Sequence, residues 1–359
     1  MSVVFRTDAS ARIGSGHVMR CLTLATALRA TGAQCRFICR AHSGHLAAVI
    51  RQQGFACDLL PAPDEEAVAG NYSSWLGTTP ARDAEQCAAL LAGAAVHWLV
   101  VDHYALDAAW ESALRAHCRQ LLVIDDLANR AHDCDLLLDQ NLGREAAAYA
   151  PLLPAHARCL TGPHHALLRP EFARHRDASL ARRHAPSLRR LLVTMGGTDP
   201  DNITALVLDI LSRCALPADS HVTVVMGATA AGLPRVRQLA PTLPWPCEVR
   251  VNETDMAGLN SACDLVIGAA GSSVWERCCL GVPSALAILA DNQQRIAQAL
   301  AQAGGCWYLG PPTDLADTLP AMLATATPGA LTAMSRQAAQ ITDGQGTARV
   351  IAAMSHRHD

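Results

Sequence analysis

His17 directly follows Gly16 in the stretch Arg6–Arg20, RTDASARIGSGHVMR. An apolar run, Val3-Val4-Phe5, leads into the stretch, and an amphipathic run leads out of it. The pattern reads as strand, glycine loop, helix, with His17 on the first helical turn. Such a turn presents unpaired backbone N–H groups and the positive end of the helix dipole to whatever binds there. That field disfavours a positive charge on the imidazole and suits His17 to accept a proton near neutral pH. The competing reading is a solvated or turn-capping histidine. Asp8 ends the preceding strand and either orients His17, as carboxylates orient imidazoles, or caps the loop. Arg20 is a second orienting candidate.

Two further turns have phosphate-binding character. Met195-Gly196-Gly197-Thr198-Asp199 follows an apolar run and precedes a helical pattern, and GAAGSS at Gly268–Ser273 does the same. Glycine lets backbone N–H groups approach a phosphate closely, and Ser272 and Ser273 add hydroxyl donors. Glu276, one turn on, can accept hydrogen bonds from a ribose diol. The chain has no lysine, so anions must be met by arginine, histidine or backbone N–H. This excludes Schiff-base, kinase and P-loop lysine chemistry. No G-x-G-x-x-G with a following acid supports NAD binding, and no G-x-S-x-G supports an α/β-hydrolase. Adjacent strand residues point to opposite faces, so Asp125 and Asp126 do not form a glycosidase-like pair. The pairs His42/His45 and His356/His358 lack acidic or cysteine partners at ligand spacing, so no metal is expected.

These residues need elements to position them. Strands alternate with helices in both halves of the chain, the order of parallel doubly wound sheets. A length of 359 residues fits two domains. Residues 1–160 read as a Rossmann-like domain carrying His17 and 191–330 as a nucleotide-binding Rossmann-like domain. Residues 161–190 read as a linker whose arginine- and histidine-rich run is a solvated helix. Residues 331–359 read as a C-terminal helical stretch, open to packing back on the first domain. Segment 64–80 reads as a variable loop or short helices. The chain is 50% hydrophobic and 17% charged, which is globular. Its net charge of −3 points to neither nucleic acid nor membrane. The N-terminus lacks a signal-peptide shape, and no apolar run approaches the roughly 18 residues of a span. Fourteen cysteines, mostly inside apolar runs and with no C-x-x-C, read as buried free thiols of a cytoplasmic protein.

A series of motifs occurs in order: IGSGHVMRCLTLA, VDHY at Val101–Tyr104, IDDLANR at Ile124–Arg130, LLLDQN, TGPHHALLRPEF at Thr161–Phe172, MGGTDPDN, GAAGSSVWE at Gly268–Glu276 and ADNQ at Ala290–Gln293. Over nearly its whole length the chain resembles the UDP-sugar hydrolases of pseudaminic acid biosynthesis, the PseG family. That resemblance implies a GT-B fold like that of the MurG glycosyltransferase, with two Rossmann-like domains facing a cleft. It implies hydrolysis of UDP-2,4-diacetamido-2,4,6-trideoxy-β-L-altropyranose at its anomeric C1–O bond, with inversion, by a cytoplasmic monomer without cofactor or metal. The physiological setting it implies is pseudaminic acid synthesis for flagellin glycosylation. On the same basis His17 is the base for water, while Tyr104 and Asn292 lie by the sugar and Gln293 is a further substrate- or UDP-binding residue. Glu276 holds the ribose. Gly271, Ser272 and Ser273, with Gly196 and Gly197, receive the diphosphate, and Gly14, Ser15 and Gly16 border diphosphate and sugar. No motif covers segment 64–80 or the stretch after Leu331. The alternatives are a MurG-like transferase with the same donor site and a non-enzymatic nucleotide-sugar binder.

Overall fold

Parallel strands covered on both faces read as unbroken apolar runs, and the runs at Val3–Phe5, Trp98–Val101 and Leu121–Ile124 form such strands. The computed structural model describes residues 1–10, 12–64, 68 and 71–355. Their contacts divide them into two units, Met1–Leu167 with Gln345–Asp359, and Leu168–Gly344.

The first unit runs β1 (Ser2–Thr7), α1 (Gly16–Ala30), β2 (Gln34–Arg40), α2 (Ala47–Gln52), β3 (Ala56–Leu60), α3 (Pro80–Leu91), β4 (Val96–Asp102), α4 (Ala108–Leu114), β5 (Cys118–Ile124), β6 (Leu136–Asp139) and β7 (Arg158–Thr161). The strands form one parallel sheet in the order β3-β2-β1-β4-β5-β6-β7. One face packs Val3, Phe5, Phe37, Trp98 and Val100 against Cys21, Leu24 and Leu28 of α1. The other packs Val4, Ile38, Leu99 and Val101 against α3 and α4, where Trp110 is buried. The sheet reverses its winding between β1 and β4. Ligands of open α/β sheets bind at the carboxyl ends of the strands at that reversal.

The second unit runs α5 (Pro170–Arg182), β8 (Arg190–Thr194), α6 (Ile203–Leu211), β9 (His221–Met226), α7 (Leu233–Leu239), β10 (Cys247–Val251), α8 (Met256–Ala262), β11 (Leu265–Ala269), α9 (Ser273–Cys279), β12 (Ser284–Ala287), α10 (Asp291–Gln302), β13 (Trp307–Gly310), α11 (Leu315–Thr325) and α12 (Pro328–Ile341). Its sheet, again parallel, has the order β10-β9-β8-β11-β12-β13. The winding reverses between β8 and β11, the two strands that feed the glycine turns. The last helix, α13 (Gly346–Ser355), belongs to the first unit. It buries Val350, Ala353 and Met354 in the core that α1 also lines.

The unit boundaries fall at 168 and 345, inside the segments read from sequence as linker and C-terminal stretch. The arginine-rich run is not a solvated linker. Arg183 is 5% exposed and donates to the carbonyls of Leu280, Cys263 and Asn260. Arg176 bonds the Cys279 and Thr342 carbonyls. Several of these carbonyls end α8 and α9, where helices leave acceptors unpaired. The arginines dock α5 by satisfying them. Strands β7 and β13 also went unread, being short and, in the case of β7, flanked by prolines. In segment 64–80 a 3-10 turn spans Tyr72–Leu76, and residues 65–67, 69 and 70 lie outside the described residues, as do His356 and His358. Among the described residues no helix is long and apolar enough to cross a membrane. The fourteen cysteines are free, and none is exposed.

Candidate active site

His17 sits in the first turn of α1, as its sequence context predicts, and is 8% exposed. The three-residue spacing of a helix places Arg20 on the same face. The pairing of β1 with β4 sets Thr7 beside Asp102, the last residue of β4. Helix and strand end therefore converge. His17 Nδ1 lies 2.6 Å from Asp102 Oδ1. Arg20 grips the same carboxylate with two nitrogens, Nε 2.6 Å from Oδ2 and Nη2 2.7 Å from Oδ1. Burial alone would raise the pKa of Asp102; Arg20, and after it His17, override burial and hold the carboxyl well below the usual carboxylate range. An ionised carboxylate only accepts hydrogen bonds. The neutral imidazole must therefore carry its proton on Nδ1 and its lone pair on Nε2. Among the described residues Nε2 has no hydrogen-bond partner.

The network extends outward. Arg20 Nη1 donates to Asp126 Oδ1 at 3.1 Å, and the Tyr104 hydroxyl donates to Asp126 Oδ2 at 2.6 Å. Asn141 Nδ2 donates to Asp126 and to Asp139, at 2.8 Å each. Burial, and after it the neighbouring Asp126, pushes the Asp139 carboxyl up to about 6. Burial followed by Asp126 also keeps the Tyr104 phenol protonated well beyond its ordinary range. The Tyr104 ring meets the His17 ring edge-on, centroids 4.6 Å apart. Trp75 stacks on Tyr104, and Tyr72 meets both edge-on. The wall beside His17 is thus aromatic in a chain that is only 4% aromatic.

Asp8 does not orient His17. It is fully buried and held by Arg6 Nη1 at 2.7 Å and by the Arg40 backbone N–H at 2.6 Å. His103 Nε2 and His42 Nε2 stand 3.4 and 3.6 Å from it. The orienting carboxylate is Asp102, contributed 85 residues later in the chain. Asp125 and Asp126 do diverge: Asp125 bonds Arg130 and Tyr149, while Asp126 bonds Arg20 and Tyr104. Asp102, Asn141, Tyr72 and Trp75 were given no site role from sequence, and Asp126 was weighed only as half of a pair with Asp125. Polar residues closing apolar strands, as in V-D-H-Y and I-D-D-L, were the available signal for the two aspartates. His42 is directed at Asp8, and His45 Nδ1 accepts from the Ala47 N–H. Among the described residues no cluster of three or more His, Cys, Asp or Glu is placed to hold a metal ion.

In the second unit the backbone of Gly196 has φ +96°, a conformation that favours glycine. Gly227 N–H donates to Gly197 O at 3.0 Å, and a Cβ on Gly227 would lie 2.2 Å from that oxygen. The turn is thus buttressed by backbone. A Cβ at Gly197 or Gly271 would meet nothing, so both turns have an open side. Among the described residues the N–H groups of Gly197, Thr198, Gly271, Ser272 and Ser273 have no acceptor. The dipole of α6 is not free to help, because Asp199 occupies its first turn, accepting from Ile203 N–H at 2.9 Å and Thr204 N–H at 3.0 Å. Ser272 and Ser273 are exposed. Glu276 is half-buried with no ion pair or hydrogen bond to its carboxylate among the described residues, and burial pushes it up to about 7 against the pull of Arg169 and Arg277. Gln293 Oε1 accepts from Leu289 N–H at 3.0 Å, so it braces the loop before α10, while Asn292 is half-buried on that helix's first turn. In the first unit, the N–H groups of Ser15, Gly16 and His17 likewise have no acceptor among the described residues. Gly14 takes φ +81° and bonds Ser10 O.

No family model matches the chain. It is 24% identical over 306 residues to the UDP-2,4-diacetamido-2,4,6-trideoxy-beta-L-altropyranose hydrolase of Campylobacter jejuni, covering 85% of this chain and 97% of that protein. This agrees with the resemblance carried by the motifs. The chain is 28% identical over 155 residues to the spore coat polysaccharide biosynthesis protein SpsG of Bacillus subtilis, covering 43% of this chain and 44% of that one. Among solved structures, MurG of Acinetobacter baumannii matches with a TM-score of 0.71 at 18% identity, over 98% of this chain and 99% of its own. A UDP co-structure of S. aureus MnaA matches at TM-score 0.60 and 12% identity, over 98% and 94%. The fold is GT-B.

Proposed function

We propose that this chain hydrolyses a UDP-sugar at the anomeric C1–O bond, releasing UDP and the free sugar. The observation that carries the reading is His17, its Nδ1 on the ionised Asp102 and its Nε2 unpaired. A base fixed in one tautomer by a buried carboxylate is suited to take a proton from water. The water oxygen bonds to C1 as its proton passes to Nε2, and the C1–O bond breaks with its electron pair leaving on the β-phosphate. Attack opposite the leaving group inverts C1. The unpaired N–H groups of the two glycine turns supply hydrogen bonds to the departing diphosphate. Glu276 accepts from the ribose.

The relative in Campylobacter jejuni suggests the sugar, a 2,4-diacetamido-2,4,6-trideoxy-β-L-altropyranose. The aromatic wall of Tyr72, Trp75 and Tyr104 suits a sugar with a C6 methyl and acetamido groups. Pseudaminic acid synthesis in a cytoplasmic monomer is part of the same proposal. A transferase reading is favoured by the fold match to MurG, and one assay separates the two. UDP release is followed with UDP-sugar and no acceptor, and the fresh product is examined by NMR before it mutarotates. Sustained turnover with an inverted product is expected; release that depends on an added acceptor sugar would establish the transferase instead. His17→Ala is expected to lower kcat by about 10²–10⁴-fold, and unchanged turnover would remove His17 as base.

A further inference from the structure

Among the described residues, one buried arginine has neither an ion pair nor a full set of carbonyl partners. Arg6, Arg20 and Arg40 all form ion pairs with buried aspartates, and Arg183 is lined with carbonyls. Arg277 is 2% exposed and, among the described residues, makes no ion pair within 4 Å and leaves Nε and Nη1 without a partner. Its Nη2 donates to Ala269 O at 2.8 Å and lies 3.5 Å from Ser273 Oγ. The guanidinium is therefore tucked under the turn 269–273. A Cβ on Gly268 would come within 2.5 Å of Nη1, so the first glycine of GAAGSS makes room for Arg277, while Gly271 keeps the turn's outer side open.

Burying a charge without a partner is unfavourable, and burial accordingly lowers the basicity of Arg277. Arginine nevertheless remains charged at neutral pH. A turn with three unpaired N–H groups and a fixed cation beneath it is complete only with an anion above it. We infer that Arg277 is the built-in counter-charge of the turn 269–273 and makes it selective for the diphosphate of a nucleotide over the uncharged nucleoside. This rests on the UDP-sugar reading and adds to it a positioning residue that acts through the turn.

The test compares UDP and uridine binding by calorimetry in the full chain, for wild type, Arg277→Met and R277K. The wild type is expected to bind UDP more tightly than uridine. Arg277→Met is expected to weaken UDP by about tenfold or more while uridine changes by less than about twofold, the pattern of a lost charge interaction. R277K is expected to retain the preference. Equal losses for both ligands, or an unchanged preference, would overturn the inference. If wild type shows no preference for UDP over uridine, the diphosphate reading itself fails, which separates the two. Because the chain has no lysine, R277K introduces a single side-chain amine that NMR can titrate even if Arg277→Met does not fold. UDP, but not uridine, is expected to raise that amine's pKa; no response to UDP would overturn the inference.

Discussion

At the residue scale the His17–Asp102–Arg20 cluster makes the sharpest demands. Asp102 serves both the Arg20 guanidinium and the His17 imidazole, so removing its charge leaves Arg20 with only Asp126 and frees the imidazole to change tautomer. Asp102→Asn is expected to reduce kcat by about 10²–10⁴-fold with little change in KM. It should also cost about 3 kcal/mol of stability, because a buried guanidinium loses its closest partner. Steady-state kinetics with a denaturant titration checks both. Glu276 gives a pH prediction. Its folded value, about 7, lies above the ordinary 4.5, so the native state binds more protons than the unfolded chain between those values. The stability this contributes is fully present below about 4.5 and is lost as pH rises through about 7. The melting temperature of wild type relative to Glu276→Gln should therefore fall from pH 5 to pH 8. Uridine affinity should rise over the same range in wild type alone, as the carboxylate forms to accept the ribose hydroxyls. A parallel pH response in the two proteins would sink the assignment.

At the element scale, strand order decides which loops meet. β1 lies beside β4, which brings the His17 turn to Asp102, and β8 lies beside β11, which brings the two glycine turns of the second unit together at its winding reversal. The buttress between Gly227 and Gly197 belongs to this scale. Gly227→Ala puts a methyl group where the Gly197 carbonyl sits, so the Gly196-Gly197 turn must shift. The expected cost is about 1–3 kcal/mol with weakened UDP binding, while Gly197→Ala, on the open side, should be far milder in thermal unfolding. A reversed order of the two effects would show that the turn is not held from behind by β9's end.

At the scale of the whole molecule, the chain crosses from the second unit back to the first to place α13 against α1. Val350, Ala353 and Met354 fill the core behind the helix that carries His17 and Arg20. Ending the chain after Gly344 should destabilise the first unit by about 3–5 kcal/mol, the scale of exposing a few buried apolar side chains. The second unit should be little affected. Hydrogen exchange that rises in α1 and the first sheet but not in β8–β13 would verify this; uniform exchange across both units would refute it.

Much of this protein was legible in the order of its residues. Apolar strand runs alternating with helical patterns specify two parallel sheets, because a buried parallel strand and an amphipathic helix each leave a local periodicity. His17 on a helix start and GAAGSS before Glu276 were visible for the same reason: each is a turn whose chemistry is contained within a few neighbours. The partners of those residues were not visible. Asp8, nine residues from His17, was as good a candidate as any until the fold aimed it at Arg6 and the Arg40 backbone. Asp102 is 85 residues away and reaches His17 only because β4 is laid next to β1. Likewise, Arg183 and Arg277 look like any other arginines in sequence, and tertiary packing alone buried one among helix-end carbonyls and the other beneath a turn, without an ion pair among the described residues. Local pattern determined which elements form and where chemistry is located; strand order and burial determined which side chains share a charge, because those depend on contacts between segments far apart in the chain.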